Sequence, residues 1–280
     1  MSTIAITGAS GFIGRHLHTR LTACGVNVIA LSRQYRAGMI QVSDYSNSPD
    51  ADVLIHLGEE PNRALVNSLG QKYLEESARS IRVLSKRGYR RFIYISSGTV
   101  YGDSTLHLRK PGDVVMRNDF YNRSKLLNES ITLENGGAVA RLSNIYGSGM
   151  APCNVMSDII AQVLGDGPLK VRDELPVRDY LHVTDVVNAL ERFAASNYNE
   201  IINIGSGVGT SVRRLAEITL AAAGQSDREI ISTNIMKDSF SACVLDVSLT
   251  NSILSWQPEI IIDDWIKEHI QKKIGRNHGK

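Results

Sequence analysis

The sequence predicts an α/β fold, in which a doubly wound parallel sheet carries a smaller mixed α/β lobe. Two observations predict it. Short strand-like runs alternate with longer helical stretches through the first half of the 280-residue chain, and a glycine-rich turn follows the first run. Strands that alternate with helices form βαβ units, whose parallel strands are covered on both faces. This length suffices for one large domain with a lobe attached.

The elements of the first half follow one another in regular alternation. The predicted strands are 3–7, 27–31, 52–57, 91–96 and 138–143. The predicted helices are 12–24, 63–87 and 119–135. We therefore expect residues 1–150 to form most of the sheet.

The second half is less regular and predicts the smaller lobe. The predicted segments are helices near 154–165 and 211–224, a strand at 201–205, a mixed segment at 177–194 and a tail from about residue 225. We expect residues 151–280 to form mainly the lobe, interleaved with sheet segments over about 177–205.

Charge and composition exclude several functional classes. The formal net charge of +2 gives no support for a nucleic-acid or anionic-membrane surface. No apolar run approaches the roughly 20 residues that span a bilayer, and the N-terminus MSTIAITGAS lacks the charged region of a signal peptide. Three widely spaced cysteines, Cys24, Cys153 and Cys243, suit a reducing compartment as small buried thiols. We expect a cytoplasmic protein that binds neither nucleic acid nor membrane.

A glycine-rich turn, TGASGFIG, follows the first strand and opens the first helix. Gly8, Gly11 and Gly14 permit a tight turn, close backbone approach to a pyrophosphate, and close packing of helix on strand. The helix N-terminus adds N–H groups and a positive dipole end. Glycine triplets also occur in purely structural turns, but the strand–turn–helix context predicts a Rossmann-type dinucleotide site. The neighbouring residues expected to contact the cofactor are Ser10, Phe12, Ile13 and Leu57.

The end of the second strand predicts which dinucleotide is bound. An NAD site usually has an acidic residue there, which binds the adenosine ribose. This chain has ALSRQYR instead, with Ser32, Arg33 and Arg36 and no carboxylate. A guanidinium suits a 2′-phosphate because its planar donors are permanently charged, although arginine is also common in solvated loops. The pattern favours NADP(H) over NAD(H), and Asp44 is a candidate acceptor for the adenine amino group.

The stretch DFYNRSKLLNES begins a predicted helix and places Tyr121 four residues before Lys125. Residues at this spacing share a helix face, so alone the pair fits an ordinary amphipathic helix. Tyrosine has a pKa near 10, but a nearby cation and a positive nicotinamide ring favour its phenolate. Tyr121 would then exchange a proton with a substrate oxygen. Both side chains are also expected to contact the cofactor, Lys125 at the nicotinamide ribose.

Further motifs accompany these two, in one order from residue 7 to residue 258. They are DVLIHLG, YISSGTVYG, RLSNIYG, RDYLHVTD, NIGSG and LDVSLTNSILSWQP. Together the motifs resemble the extended short-chain dehydrogenase/reductase family, in its nucleotide-sugar epimerase, dehydratase and reductase branch. The resemblance implies a Rossmann-type fold, an NAD(P) cofactor, a nucleotide-sugar substrate and a catalytic pair at Tyr121 and Lys125. We predict no metal site.

The resemblance also implies roles for residues outside that pair. Ser97 matches the hydroxyl that hydrogen-bonds the reacting sugar oxygen, and Thr99 stands where epimerases often have threonine. Asn144 and Arg178 match positions that hold the diphosphate of the sugar nucleotide. The smaller lobe would supply the sugar-nucleotide pocket, with residues 144–154 as its mobile rim.

A departure from the family pattern narrows the reaction. Dehydratases of the family carry an Asp-Glu pair just after the catalytic hydroxyl, whereas this chain has Gly98 and Thr99, which argues against 4,6-dehydration. A 4-keto-6-deoxy-sugar-nucleotide reductase and a 4-epimerase with tightly bound NAD remain. The motif SSGTVYG favours the epimerase. The absence of an acidic residue after the second strand, together with Arg33, favours the reductase, which we prefer. A catalytically silent NADP-sensing or scaffold protein is opposed by the intact catalytic residues.

A homodimer is the expected assembly. Family members commonly dimerise through the helices that correspond here to 63–87 and 119–135. The charged stretch LEESARSIRVLSKR in the first of these would equally suit a solvated helix face.

Overall fold

The computed structural model describes residues 2–102, 107–152, 154–234 and 241–278. Its strands are β1 (Thr3–Thr7), β2 (Asn27–Ser32), β3 (Ile40–Gln41), β4 (Val53–His56), β5 (Arg91–Ser97), β6 (Ala138–Leu142), β7 (Asn144–Tyr146), β8 (Leu169–Val171), β9 (Val177–His182), β10 (Ile201–Ile204), β11 (Gly209–Ser211), β12 (Ile230–Ser232) and β13 (Ala242–Cys243). Its α-helices are α1 (Phe12–Ala23), α2 (Arg63–Ser85), α3 (Phe120–Glu134), α4 (Val155–Gln162), α5 (Val183–Ala195), α6 (Val212–Ala222), α7 (Ser248–Leu254) and α8 (Ile262–His278). In these ranges no helix is both long and apolar enough to cross a membrane.

The central sheet has seven strands in the order β10-β6-β5-β4-β1-β2-β3, and each neighbouring pair is parallel. The order runs one way from β1 to β3 and the other way from β4 to β10, so it reverses between β1 and β4. Ligands of such sheets bind beyond the carboxyl ends of the strands at this reversal. The predicted doubly wound parallel fold is confirmed, and its crevice lies beyond Thr7 and His56.

Side chains of the central strands alternate between two buried faces. On one face, Ile6 packs in a core cluster with Leu17 of α1 and Leu190 of α5. On the other face, Leu54 packs in a cluster with Ile81 of α2. The interior positions of the central strands are mainly apolar because helices cover both faces of the sheet. The predicted strands and helices of the first half match the observed ones closely.

The smaller lobe is built from short strands. β9 pairs with β7, β11 and β13, while β8 pairs with β12. Helices α4, α6 and α8 enclose a separate core that includes Met156, Leu215 and Ile266. Residues 177–205 connect the two parts, because β9 lies in the lobe whereas α5 and β10 belong to the central sheet.

Helix α8 corrects the prediction of a tail after residue 225. The residues that define its apolar face are Ile262, Ile266, Ile270 and Ile274. Their spacing of four is the periodicity of one helix face. Ile266 and Ile270 are fully buried, and α8 packs against α6. The sequence therefore contained a helix signal that the prediction missed.

The cysteines differ from the prediction of buried thiols. Cys24 is exposed because it caps the C-terminus of α1 at the surface, and Cys243 is half-buried. Cys153 lies outside the described residues. The Sγ of Cys243 lies 3.5 Å from the Gly98 carbonyl, on the wall of a cavity described below.

Candidate active site

The turn between β1 and α1 has a backbone that only glycine fits at two positions. Gly8 has a φ of +68°, in the left-handed region, and a Cβ there would lie 2.6 Å from the Leu57 carbonyl oxygen. A Cβ on Gly14 would lie 2.2 Å from the Gly8 carbonyl oxygen. Both distances are far inside van der Waals contact. Glycine therefore allows α1, the turn and the end of β4 to approach one another closely.

The N-terminus of α1 is suited to an anion. The helix begins at Phe12, and its N-cap, Gly11, supplies no side-chain cap. The N–H groups of Phe12, Ile13 and Gly14 have no partner within the helix, and the helix dipole is positive at this end. The glycine cradle and these donors fit the pyrophosphate of the predicted dinucleotide.

The residues at the end of β2 fall into two groups. Ser32 is fully buried, and its Oγ lies 2.8 Å from the Oγ of Ser10, which links β2 to the glycine turn. Arg33 is exposed, with its guanidinium carbon 5.5 Å from the centroid of the Tyr45 ring. Arg36 is also exposed, and its guanidinium donates to acceptors in its own loop. Ser32 thus holds the turn, and Arg33 presents its charge at the next cavity.

A cavity of about 440 Å³ opens beside Arg33. The residues that line it include Arg33, Asp44, Tyr45, His56, Glu59 and Tyr73. Asp44 Oδ1 accepts from the Ser46 N–H at 2.7 Å and from the Ser80 hydroxyl at 3.3 Å. The hydrogen bond from the Ser46 backbone lowers the pKa of Asp44. The predicted adenine acceptor is therefore a carboxylate held at the wall of this cavity.

Helix α3 presents Tyr121 in its first turn. Asp119 caps the helix by accepting from the Asn122 N–H at 2.8 Å. From α2, Asn67 accepts from the Tyr121 N–H at 3.0 Å, and Arg63 donates to Asp119 at 2.6 Å. These contacts fix the first turn of α3 against α2 and hold Tyr121 half-buried.

Lys125 lies one turn after Tyr121, with its Nζ 5.8 Å from the centroid of the Tyr121 ring. The ammonium donates to Glu59 Oε2 at 2.6 Å and to the Ile95 carbonyl at 3.2 Å. Burial opposes ionisation of Glu59, but the Lys125 ammonium, together with His56 and the hydrogen bond from Tyr94, lowers the pKa of Glu59 to about 2. The sequence prediction missed Glu59, although a carboxylate shortly after an apolar strand, at the ligand-binding edge of a parallel sheet, was a usable signal.

Ser97 is the last residue of β5 and Thr99 follows the strand, and both are linked to α3 by hydrogen bonds. Ser97 Oγ lies 3.0 Å from Thr99 Oγ1, which donates to Asn122 Oδ1 at 3.1 Å. Asn122 Nδ2 donates in return to the Thr99 carbonyl at 3.1 Å. Asn122 is fully buried. It was missed as a site residue, although it lies inside YNRSK, and it links the orientation of Ser97 to the helix that carries Tyr121.

A second cavity brings together residues that lie far apart in the sequence. The predicted site residues that line it are Ser97, Thr99, Asn144 and Arg178. Asn144 on β7 donates to the Asp179 carbonyl at 3.3 Å, and Arg178 on β9 donates to Ser241 Oγ at 2.7 Å. Arg63 also lines this cavity, which adds a guanidinium that the sequence prediction missed.

The segment predicted as the rim of the sugar pocket is tied to α1. Arg15 donates to the Gly149 carbonyl at 2.5 Å, and the His16 ring nitrogen lies 3.1 Å from the Ser148 carbonyl. The helix that begins at the glycine turn thus contacts the loop after β7. The mobility of this rim stays a prediction.

The comparison that decides the family covers most of the chain. A model of the NAD dependent epimerase/dehydratase family matches residues 4–205, which include the glycine turn, Ser97, Tyr121 and Lys125. The chain belongs to this family. Membership confirms the predicted extended short-chain dehydrogenase/reductase type and the prediction of an NAD(P)-dependent enzyme.

Named relatives in the family carry different activities. The chain is 31% identical over 257 residues to GDP-6-deoxy-D-mannose reductase of Pseudomonas aeruginosa, with 81% of each protein covered. It is 26% identical over 310 residues to UDP-glucose 4-epimerase of Mycolicibacterium smegmatis, with 95% of this chain and 96% of the relative covered. It is 25% identical over 291 residues to UDP-glucuronic acid decarboxylase 4 of Arabidopsis thaliana; 92% of this chain is covered, but it spans only 66% of that protein.

Solved structures in the family match nearly the whole chain. MoeE5 in complex with UDP-glucuronic acid and NAD has a TM-score of 0.82 at 25% identity, with 98% of this chain and 99% of that chain covered. RMD from Pseudomonas aeruginosa complexed with NADPH has a TM-score of 0.83 at 25% identity, with 99% of this chain and 100% of that chain covered. One structure contains NAD and the other NADPH, so the family supports an NAD(P) cofactor without fixing which form is bound.

Proposed function

We propose that the protein reduces a 4-keto-6-deoxy sugar nucleotide at C4 with NADPH, as a cytoplasmic enzyme. The observation that carries this proposal is the cavity that Ser97 shares with Asn144 and Arg178. A guanidinium and an amide suit a diphosphate, and a hydroxyl suits the carbonyl oxygen of a sugar. The relative at 31% identity is named a GDP-6-deoxy-D-mannose reductase, which agrees with this choice.

The cofactor would be held by the turn and the first cavity. Gly8 and the N-terminus of α1 would take the pyrophosphate, with Ser10 and Ser32 holding the turn in shape. Arg33 would bind a 2′-phosphate, and Asp44 would accept from the adenine amino group. When bound, the cofactor supplies the hydride that reduces the sugar carbon.

The catalytic roles proposed for the chain's own residues concern the sugar oxygen. Tyr121 would donate its proton to that oxygen as the carbonyl is reduced, and Lys125 would stabilise the resulting phenolate. Ser97 would donate a hydrogen bond to the same oxygen and fix its position. The chain from Ser97 through Thr99 to Asn122 would keep this hydroxyl oriented toward α3.

Space at Gly98 supports a reductase or an epimerase over a dehydratase. A Cβ on Gly98 would lie 3.1 Å from the Leu245 side chain and 3.3 Å from the Leu142 carbonyl oxygen. The acidic side chain that dehydratases of this type carry there would require its neighbours to move. A nucleotide-sugar 4-epimerase with tightly bound NAD is the second candidate, favoured by the paired hydroxyls of Ser97 and Thr99.

The proposal also includes a binding role for each half of the chain and a dimeric assembly. Residues 1–150 would bind mainly the cofactor, and residues 151–280 mainly the sugar nucleotide. A homodimer would form through α2 and α3, since Leu65, Leu69 and Val83 expose 42%, 44% and 45% of their surface on α2. Sedimentation at several protein concentrations would reveal the dimer.

The experiment that tests the function uses the purified protein. Its bound nucleotide is released with acid and identified, and NADPH is then added with several 4-keto-6-deoxy sugar nucleotides. The reductase is expected to be isolated without stoichiometric NAD and to consume NADPH with at least one of these substrates. Stoichiometric bound NAD with no net NADPH oxidation would instead establish the epimerase.

A further inference from the structure

The carboxylate of Glu59 receives four hydrogen bonds beneath the Tyr121–Lys125 pair. Lys125 Nζ and the Tyr94 hydroxyl each donate to Oε2 at 2.6 Å. Asn128 donates to Oε1 at 2.6 Å and Ser77 at 2.8 Å. These donors come from α3, β5 and α2, so three elements hold one carboxylate. A carboxylate this completely bonded is a built feature of the fold and has little freedom to turn away.

Little of the Glu59–Lys125 pair is open to water, because only 9% of each side chain is exposed, although Glu59 lines the cavity beside Arg33. An unpaired charge at this depth would be costly, so each group depends on the other to stay ionised. An ammonium has three donors. Glu59 and the Ile95 carbonyl use two of them, which leaves one for the Tyr121 phenolate or for a ribose hydroxyl.

The titratable groups around Lys125 come from every element packed against it. They are Glu59 and His56 near the end of β4, Tyr94 of β5, Tyr73 of α2 and Tyr121 of α3. Burial raises the pKa of both Tyr94 and Tyr73, so these hydroxyls are neutral. Burial lowers the pKa of His56 to about 4, so its ring is neutral at physiological pH. Among these groups Glu59 therefore supplies the negative charge opposite Lys125.

We propose that Glu59 is a positioning residue: its carboxylate fixes the Lys125 ammonium below the Tyr121 ring and keeps it protonated during proton exchange. The inference rests on the proposed roles of Tyr121 and Lys125. Burial lowers the pKa of Lys125, but the Glu59 carboxylate, with smaller contributions from Tyr121 and Tyr73, raises it above its ordinary value. Lysine thus remains cationic across the neutral and mildly alkaline range. Without the Glu59 carboxylate, the strongest influence that opposes burial is lost, and the ammonium would lose its proton at lower pH.

The test measures Lys125 directly, in protein labelled with ¹³C at the lysine Cε. The Lys125 resonance is identified by its absence from Lys125→Arg, and its shift is followed against pH. In the wild-type chain the titration midpoint is expected above the ordinary lysine value of about 10.4. In Glu59→Gln, which keeps a hydrogen-bond acceptor but no charge, the midpoint is expected at least about one unit below 10.4. Equal midpoints in the two proteins would overturn the proposal.

Two further variants keep the test decisive. Glu60→Gln removes the neighbouring carboxylate, which accepts from the Asn62 N–H and lies outside the cluster, so the Lys125 midpoint should stay at the wild-type value. Glu59→Asp keeps the charge on a shorter side chain, and its midpoint should lie between those of wild type and Glu59→Gln. If Glu59→Gln does not fold, the wild-type titration decides, and a wild-type Lys125 midpoint at or below about 10.4 overturns the proposal.

The activity readout separates this inference from the proposed function. The resonance needs no sugar substrate, so it reports on Glu59 even if the chosen sugar is wrong. With a working substrate, the ratio of kcat/KM in Glu59→Gln to kcat/KM in wild type should fall about tenfold per pH unit above the Lys125 midpoint of the variant. A purely structural role for Glu59 would lower activity equally at all pH values, and Glu59→Asp would not restore the wild-type profile.

Discussion

Two buried ion pairs lie one turn apart on α3 and differ in every respect that matters for chemistry. Lys125 pairs with Glu59 at the cavity, whereas Glu129 pairs with Arg141 inside the core, where 4% of each side chain is exposed. Arg141 engages both oxygens of Glu129, at 2.6 Å through Nη2 and 3.0 Å through Nε, and donates to the Pro111 carbonyl at 3.1 Å. Lys125 contacts a single oxygen of its partner.

The difference separates a structural ion pair from one that can serve the proposed chemistry. A guanidinium is planar and permanently charged, so the pair of Arg141 with Glu129 can only hold β6 to α3. An ammonium is a point charge whose pKa responds to its surroundings, and Lys125 retains a donor for a further partner. The same helix thus carries one ion pair for stability and another whose electrostatics can serve Tyr121.

The largest effect should come from removing the hydroxyl that the Lys125 pair serves. Tyr121→Phe is expected to lower turnover about 10²- to 10⁴-fold, because the proton donor is lost. Steady-state kinetics with the cofactor and sugar identified above measure it, and Tyr198→Phe, at a tyrosine bonded to Glu200, is the matched control. Unchanged turnover in Tyr121→Phe would show that Tyr121 is not the proton donor.

Disrupting the Glu129–Arg141 pair should lower the stability of the fold and leave turnover unchanged. Glu129→Gln leaves the Arg141 guanidinium buried without its counter-charge and is expected to lower the free energy of unfolding by about 3–5 kcal/mol. Urea denaturation measures this loss, and Glu134→Gln, at the exposed end of the same helix, is the control. The folded fraction should retain its turnover. A loss below about 1 kcal/mol would place this pair with surface pairs and remove the contrast.

The Glu59 pair should make stability depend on acid pH. The pKa of the Glu59 carboxyl group is about 2 in the folded protein, below its ordinary value of 4.5. The stabilisation from its ionised form is therefore present above pH 4.5 and is lost as pH falls toward 2. A shift of this size corresponds to about 3 kcal/mol by linkage. The difference in unfolding free energy between wild type and Glu59→Gln should shrink by this order from pH 5 to pH 2. A pH-independent difference would show that the carboxylate is not ionised in the folded chain.

An exposed pair gives the smallest effect and sets the baseline. Arg20 of α1 donates to Glu191 of α5 at 2.7 Å, with side-chain exposures of 46% and 26%. Water screens such a pair, so Arg20→Ala should change the free energy of unfolding by about 0–1 kcal/mol. Urea denaturation of Arg20→Ala and Glu129→Gln under the same conditions compares the two losses of unfolding free energy. The comparison shows whether the burial of an ion pair determines how much it stabilises the fold. A loss equal to that of Glu129→Gln would mean that pairing alone decides.

Local patterns predicted the central sheet because its strands are buried on both faces. A run such as TIAIT is apolar at its three central positions, and β1 covers the predicted residues 3–7. The short strands of the lobe, such as β13 over Ala242–Cys243, are defined by pairing with distant segments and leave no local pattern. Helix α8 was missed although its isoleucines recur at the spacing of one helix face, so it could have been predicted from the sequence.

The candidate site was predictable where the residue spacing within one motif fixes the relative positions of its side chains. The i to i+4 spacing places Tyr121 and Lys125 on one face, and the motifs at Ser97, Asn144 and Arg178 meet in one cavity. The contact of Glu59 with Lys125 spans 66 positions in the chain. No local periodicity encodes such a contact, because it depends on how β4 and α3 pack in three dimensions.

The path of residues 177–205 has a consequence for dividing the molecule. A chain ended at residue 150 would lack α5 and β10, and with them the fully buried Leu190 and Phe193 from the core of the central sheet. Strand β6 would become an open edge, and unprotected edges of this kind invite intermolecular pairing. Truncation alone would therefore not yield the part that we propose binds the cofactor. A soluble fragment would require the returning segment to be supplied as a second chain.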